Sequence, residues 1–199
     1  MNGEIIIISS NKVLKLICKD FISVNHYMNY RAVKKGKFTT VMAYKPAKTK
    51  NFEEEFGKYI KEQIETQNWI KPNKNKFIIL DTIFYFPRVD MDAQNYFKSL
   101  CDIMTSAGVW EDDNMVMEKV NRIYYDNKNP RIEIYVYESE YIGIFDNIIE
   151  YENFKSKCLK CKRNKKNNCS IYKKVLESRI QDDIIKKDNL WICNKFNEL

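Results

Sequence analysis

One apolar run constrains the fold more than any other part of the sequence. Residues 76–86, KFIILDTIFYF, are apolar at both alternating sets of positions. A strand with water on one face alternates apolar and polar residues, whereas a strand buried on both faces does not. The run therefore predicts a central strand. Pro87 ends it, because proline has no amide hydrogen to donate to a ladder.

Two helices are predicted beside this strand. Residues 51–67 carry apolar side chains at helical spacing, and a second helix runs from about Asp90 to Ser106. Either Asp90 or Asp92 is available as its N-cap, and Gly108 ends it. Its apolar face contains Ala93, Phe97, Leu100 and Met104. Its opposite face contains Asp92, Asn95, Lys98, Ser99 and Asp102.

Further short strands complete a mixed pattern. They are predicted at 4–9, 13–17, 39–44, 115–125 and 131–137, with residues 126–130 joining the last two as a strand pair. Residues 23–31 are predicted to be a loop, and residues 145–154 a helical connector. The alternation favours an α/β (α+β) fold, with helices on one face of a small mixed sheet.

The positive charge of the chain is concentrated near its C-terminus. Residues 151–199 contain 13 Lys or Arg against six Asp or Glu, which accounts for the whole net charge of +7. This favours either a polyanionic partner or a solvated Lys-rich tail. No run approaches a membrane span, and no signal-type segment is present at the start. We therefore expect a cytoplasmic protein with no membrane partner.

Four aspartates bracket the second helix and are candidates for catalysis: Asp90, Asp92, Asp112 and Asp113. Carboxylates suit hard cations such as Mg²⁺, which can activate water for phosphodiester hydrolysis. The alternative is that the first pair caps the helix and the second forms a polar turn. A helix of about 16 residues spans roughly 24 Å, so the cluster closes only if the chain folds back after it. The one histidine, His26, cannot build a zinc site alone.

Residues 87–116, PRVDMDAQNYFKSLCDIMTSAGVWEDDNMV, resemble the core of the RusA family of Holliday-junction resolvases. Asn95 and Lys98 match the family's N-x-x-K, and Asp102 matches an Asp that follows. Residues 108–113, GVWEDD, match its Gly turn and D-D pair, and residues 23–27, SVNHY, resemble its N-terminal loop. The resemblance spans roughly residues 13–138, in the same order and with similar spacing.

The resemblance implies a homodimer that depends on Mg²⁺ or Mn²⁺ and cuts four-way DNA junctions, in recombination, repair or phage DNA processing. It makes Asp92 and Asp113 metal ligands together with Asp112, and Lys98 a group that steadies the scissile phosphate. The family's second Asp falls on Gln94, so either Asp90 replaces the missing ligand or Gln94 leaves a weaker metal site. The residues expected to lie near DNA are Asn25, Tyr27 and Asn95.

Two other functions remain open. The chain could be a catalytically inactive nucleic-acid-binding or regulatory protein on the same fold. It could also be an enzyme of that fold that acts on other branched or flapped DNA.

The C-terminal cysteines predict a separate module. Cys158, Cys161, Cys169 and Cys193 give the spacing C-x2-C-x7-C-x23-C, which favours a structural zinc ion over free thiols. We expect a nuclease domain over residues 1–145 and a basic four-cysteine module over 146–199. The basic residues expected to contact DNA there are Lys162, Arg163, Lys165 and Lys166. The other two cysteines, Cys18 and Cys101, lie in apolar runs and are predicted to be buried thiols.

Overall fold

The computed structural model describes residues 12–73 and 76–199. They form two compact units, the first from residues 12–73 and 78–138 and the second from residues 76–77 and 139–199. The predicted strand over residues 4–9 lies outside the described residues. The first unit contains strands β1 (Leu14–Cys18), β2 (Asn29–Lys35), β3 (Phe38–Tyr44), β4 (Ile78–Phe86), β5 (Val116–Tyr125) and β6 (Arg131–Glu138). Its helices are α1 (Val24–Tyr27), α2 (Ala47–Thr66) and α3 (Gln94–Ala107).

The apolar run forms β4, one of the two interior strands of the main sheet, as predicted. The strand order is β1-β6-β4-β5, with β4 antiparallel to β6 and parallel to β5. The sheet is therefore mixed, as expected. The predicted pairing of β5 with β6 is wrong, because β4 lies between them.

The connection between β5 and β6 passes over the end of β4. The amide of Asp126 donates a hydrogen bond to the carbonyl of Phe86, the last residue of β4, at 2.7 Å. The Asp126 side chain accepts from the amides of Lys128 and Asn129, both at 3.1 Å. This local Asx turn resembles a hairpin turn in sequence, although its two strands are not neighbours.

Helices α2 and α3 cover the same core. The buried residues of α2 include Phe52, Phe56 and Ile60, and they join one cluster with α3 and the sheet. The apolar face predicted for α3 is confirmed, because Ala93, Phe97, Leu100 and Met104 are all buried. Ser99, predicted on the polar face, is also buried. Its hydroxyl lies 3.0 Å from the Ile22 carbonyl and 2.9 Å from the Tyr96 carbonyl, both within donating distance.

Both ends of α3 are set by single residues. The helix begins at Gln94, later than the predicted start near residue 90. The Asp92 carboxylate accepts from the Gln94 amide at 3.0 Å, which serves the first turn as a cap would. At the other end Gly108 has φ +88°, and the Val109 amide reaches back to the Met104 carbonyl at 3.0 Å. Gly108 therefore ends the helix as predicted.

Strands β2 and β3 form an exposed hairpin of their own. Residues 23–31, predicted to be a loop, supply α1 and the start of β2. Tyr30, Phe38 and Val41 are 70%, 77% and 73% exposed. These side chains form an exposed apolar surface on a hairpin whose strands, within the described residues, pair only with each other.

The second unit is small and built around aromatic residues. It contains α4 (Ile148–Leu159), 3-10 turns over Lys162–Asn167, α5 (Ser170–Leu176), and the hairpin β7 (Ile184–Lys187) and β8 (Leu190–Cys193). Its core cluster consists of Phe145, Phe154, Tyr172, Val175 and Ile184. Within the described residues of both units, no helix is long and apolar enough to cross a membrane.

We expect Ile60→Ala to lower the free energy of unfolding of the first unit by about 2–5 kcal/mol, because it leaves a cavity between α2 and the sheet. Ile60 has no exposed surface, whereas Ile70 is 75% exposed. Ile70→Ala is the matched control and should change stability by less than about 0.5 kcal/mol. Urea unfolding followed by circular dichroism measures both, and equal effects would contradict the packing described.

Candidate active site

A polar cleft lies where β4 passes into α3. Its volume is about 550 Å³, and it is bounded by three segments: residues 21–29, the start of α2, and residues 88–96. It brings together Asn25, Asp90, Asp92 and Asn95, four residues singled out in the sequence. We call it the α3 cleft.

Buried contacts hold the loop that forms one wall of the α3 cleft. The Ser99 hydroxyl fixes this loop at the Ile22 carbonyl, as described above. The Phe21 ring packs edge-on against Tyr96 at 5.2 Å between centroids. Ser23 and the His26 ring are hydrogen-bonded at 3.0 Å. Asn25 is thus carried on a short helix anchored at both ends, rather than on a free loop.

The two cleft aspartates have different surroundings. Asp92 accepts from the Gln94 amide through Oδ1, and within the described residues its Oδ2 makes no hydrogen bond or ion pair. Asp90 lies 2.8 Å from Arg88 in an ion pair whose side chains are 65% and 71% exposed. Such an exposed pair contributes little to stability and opens readily, so Asp90 can turn toward another cation.

The second aspartate pair lies in a different acidic group. Asp112 accepts from the Asn114 amide at 3.2 Å and so forms the polar turn that the alternative interpretation predicts. Burial raises the pKa of the Cys101 thiol, and Glu118, Asp113 and Asp102 raise it further. The thiol donates a hydrogen bond to the Glu118 carboxylate at 3.5 Å.

The sheet topology keeps the two aspartate pairs apart. Because β4 and β5 are parallel, Val116 at the start of β5 pairs with Ile78 at the start of β4. Asp90 and Asp92 follow the far end of β4, which at about 3.3 Å per residue is roughly 26 Å away. The turn after α3 is fixed, since Val109 and Trp110 are buried and the Trp69 indole donates to the Val109 carbonyl at 2.9 Å. One chain does not bring the four aspartates together.

Lys98 and Tyr27 lie outside the α3 cleft. Lys98 pairs with Asp102 at 3.5 Å, one turn along α3. Tyr27 is buried, and its hydroxyl donates to Glu53 while the Lys45 ammonium lies 4.8 Å from the ring centroid. Burial raises the pKa of Tyr27, and the hydrogen bond to Glu53 raises it further.

A family model described as endodeoxyribonuclease RusA matches residues 27–137, more than half of the chain. The chain belongs to the RusA family of endodeoxyribonucleases. The match covers α2, β4, α3 and the acidic residues at both ends of α3. No curated protein matches the chain. The family match identifies the general activity of this RusA-family chain, that of a nuclease that acts on DNA.

The structure adds residues that the sequence analysis did not single out. Arg88 and Lys48 line the α3 cleft and give it positive charge beside its two aspartates. Elsewhere in the RusA-family unit, Asp81 is buried in β4 and accepts from Lys119 and Asn121, both at 3.2 Å. Its hydrogen bond raises the pKa of Lys119. A buried Asp within an apolar strand was the signal in the sequence for this polar cluster.

The four C-terminal cysteines lie in the second unit, outside the RusA match. Cys158, Cys161, Cys169 and Cys193 line one enclosed cavity of about 20 Å³. Burial raises the pKa of Cys158 to about 12. Burial also acts on Cys161, but amides of the chain, that of Asn197 first, lower its pKa overall. Cys18 and Cys101 are buried as predicted.

Neither predicted metal site is assembled in this chain. Over residues 12–73 and 76–199, no group of three or more Asp, Glu, His or Cys side chains is arranged so that it could hold a metal ion. The carboxylates of the α3 cleft are oxygen donors of the kind that Mg²⁺ and Mn²⁺ prefer, and the cysteines are sulfur donors that suit zinc. The donor atoms therefore suit the predicted Mg²⁺ or Mn²⁺ site and the predicted zinc site. Further ligands or side-chain movement must complete the coordination of each ion.

The capping role of Asp92 predicts a difference between two substitutions. Asp92→Ala removes the acceptor for the Gln94 amide and should cost about 0.5–2 kcal/mol, whereas Asp92→Asn keeps an equally good cap. Thermal unfolding of the two variants checks this. Equal stability of Asp92→Ala and the wild-type chain would show that the bond to Gln94 does not contribute.

Proposed function

We propose that this chain is a metal-dependent endonuclease that cuts four-way DNA junctions, with its active centre at the α3 cleft. The proposal is carried by one observation, the convergence of Asp90, Asp92, Asn95 and Asn25 on one polar cleft inside the RusA-matched region. Asp92 is the principal ligand for Mg²⁺ or Mn²⁺, and Asp90 takes the place of the carboxylate that Gln94 lacks. When bound, the cation supplies a water of lowered pKa and a sink for charge on the leaving oxygen.

The residues of the α3 cleft bind and orient the DNA backbone. Arg88 and Lys48 place cations where phosphate oxygens would lie, and such contacts supply most of the sequence-independent affinity for DNA. Asn25 and Asn95 can donate amide hydrogens to phosphate or sugar oxygens. Lys98, which lies outside the cleft and one turn along α3 from Asn95, leaves its exposed ion pair with Asp102 at small cost and steadies charge on the scissile phosphate.

We further propose that the active centre is completed across a homodimer. Asp112 and Asp113 lie at the opposite end of the β4-α3-β5 crossover from the α3 cleft, and the turn that carries them is fixed by buried Val109 and Trp110. A second copy can bring its own Asp113 to the cleft of the first without unfolding this turn. A twofold dimer also matches the symmetry of a four-way junction.

The exposed hairpin of β2 and β3 supports a dimer. It presents Tyr30, Phe38 and Val41 to solvent on strands that pair only with each other in the described chain. Burying such a surface against a second copy would supply the stabilisation that an isolated hairpin lacks.

The basic residues of the second unit support a DNA partner. Lys162, Arg163, Lys165 and Lys166 are all exposed around the buried Asn164. As exposed cations on one set of 3-10 turns, they can contact phosphates of a DNA arm.

Asp92→Asn is expected to abolish cleavage of a synthetic four-way junction in Mg²⁺, because it removes the ligand charge while keeping the helix cap. Binding of the junction should persist. Gel analysis of end-labelled strands measures cleavage, with a linear duplex as the substrate control and Asp182→Asn, an exposed aspartate of the second unit, as the matched variant. A variant that cuts as fast as the wild-type chain would remove Asp92 from the active centre.

The same assay separates the alternatives. A chain that binds the junction but never cuts it in Mg²⁺ or Mn²⁺ would be the inactive binding protein. A chain that cuts flapped or forked DNA and leaves the four-way junction intact would be an enzyme of the same fold with another substrate.

Mixing inactive variants tests the composite centre. If Asp113 of one chain serves the cleft of the other, a mixed dimer of Asp92→Asn and Asp113→Asn chains contains one intact centre and one doubly altered centre. We expect nicking activity to return when the two variants are refolded together and to stay absent in each alone. If both residues act within one chain, every centre in the mixture is defective and no activity returns.

A further inference from the structure

The second unit has too little core to be stable through packing alone. Among its described residues, the buried cluster has five hydrophobic members: Phe145, Phe154, Tyr172, Val175 and Ile184. Domains of this size rarely gain more than about 3–5 kcal/mol from a single core, and small natural domains add disulfides or a structural metal. None of the six cysteines is in a disulfide.

Four cysteines from separate segments meet beside this core. Cys158 lies in the last turn of α4, Cys161 precedes the 3-10 turns, Cys169 precedes α5 and Cys193 ends β8. All four line one enclosed cavity of about 20 Å³, with Phe154 and Tyr172 among the other lining residues. A space of that size admits one water-sized particle.

The backbone around this cavity is already tied together. The Asn197 amide donates to the Cys161 sulfur at 3.5 Å, and the Lys162 amide donates to the Asn197 carbonyl at 2.7 Å. Asn164 is only 7% exposed, and its side-chain oxygen accepts a hydrogen bond from the Cys169 amide at 3.2 Å. These hydrogen bonds thus hold three segments together: the C-x2-C turn, the turn at Cys169 and the segment after β8.

We propose that Cys158, Cys161, Cys169 and Cys193 bind one zinc ion that stabilises the second unit. Four thiolates form the donor set that zinc takes in closed structural sites, and a C-x2-C turn supplies two of them from one loop. Arg163 and Lys195 line the same cavity and offset the negative charge of a four-thiolate centre. Among the described residues no three such side chains already stand in ligand geometry, so zinc binding at this site requires the cysteine side chains to change rotamer. The site lies outside the RusA-matched region and is independent of the nuclease proposal.

The full reduced chain tests this inference through its metal content. We expect one zinc per chain after purification, and replacement by Co²⁺ should give the intense visible absorption of a tetrahedral cobalt thiolate centre. Cys161→Ser and Cys193→Ser should lose this absorption, whereas Cys101→Ala, which alters a buried thiol of the first unit, should keep it. Cleavage is not part of the readout, so the result is separate from the nuclease assay.

The wild-type chain provides a second measurement if a serine variant fails to fold. Removal of zinc by a chelator should lower the melting temperature of the second unit, and added zinc should restore it. Reaction of the four thiols with a thiol reagent should be slow with zinc and fast after chelation. A chain that carries no zinc, gains no stability from it, and reacts equally fast in both states would overturn the proposal, as would disulfides among these cysteines in mass spectrometry.

Discussion

The parallel pairing of β4 with β5 is the constraint on which the rest of the first unit depends. Two neighbouring parallel strands can be joined only by a connection that returns along the whole sheet, and α3 is that connection. The crossover buries one face of α3 against the core. It places the two ends of α3 at opposite ends of the strands. It therefore decides which acidic residues one chain can place together, before any question of side-chain orientation arises.

The two interpretations of the aspartates turn out to be compatible. Asp92 accepts from the first amide of α3 with one carboxylate oxygen, much as a cap would, and the residue also lines the α3 cleft. A carboxylate whose position is fixed by a helix end is a better ligand than a mobile one, because less freedom is lost on binding. Helix capping and metal binding can thus use the same residue at the same time.

The local parts of the fold could be predicted from the sequence, and the long-range parts could not. The periodicity of α3, its end at Gly108 and the central place of β4 follow from residue patterns that act over a few positions. The order of strands does not, because residues 126–130 form the same Asx turn whether their strands are neighbours or not. Only some residues of the α3 cleft could be predicted from the sequence. No local pattern around Lys48 or Arg88 indicates that the start of α2 lies opposite the end of β4.

The strand order also has a consequence for how the chain folds. The antiparallel partner of β4 and the partner of β1 are both β6, so Leu14 pairs with Val136 across most of the first unit. Contacts that are so distant in sequence slow folding, because a large loop must close before they form. During synthesis β1 and β4 remain without that partner until residues 131–138 have left the ribosome. The apolar strand that organises the sheet is therefore exposed to aggregation along its unpaired edge in that interval.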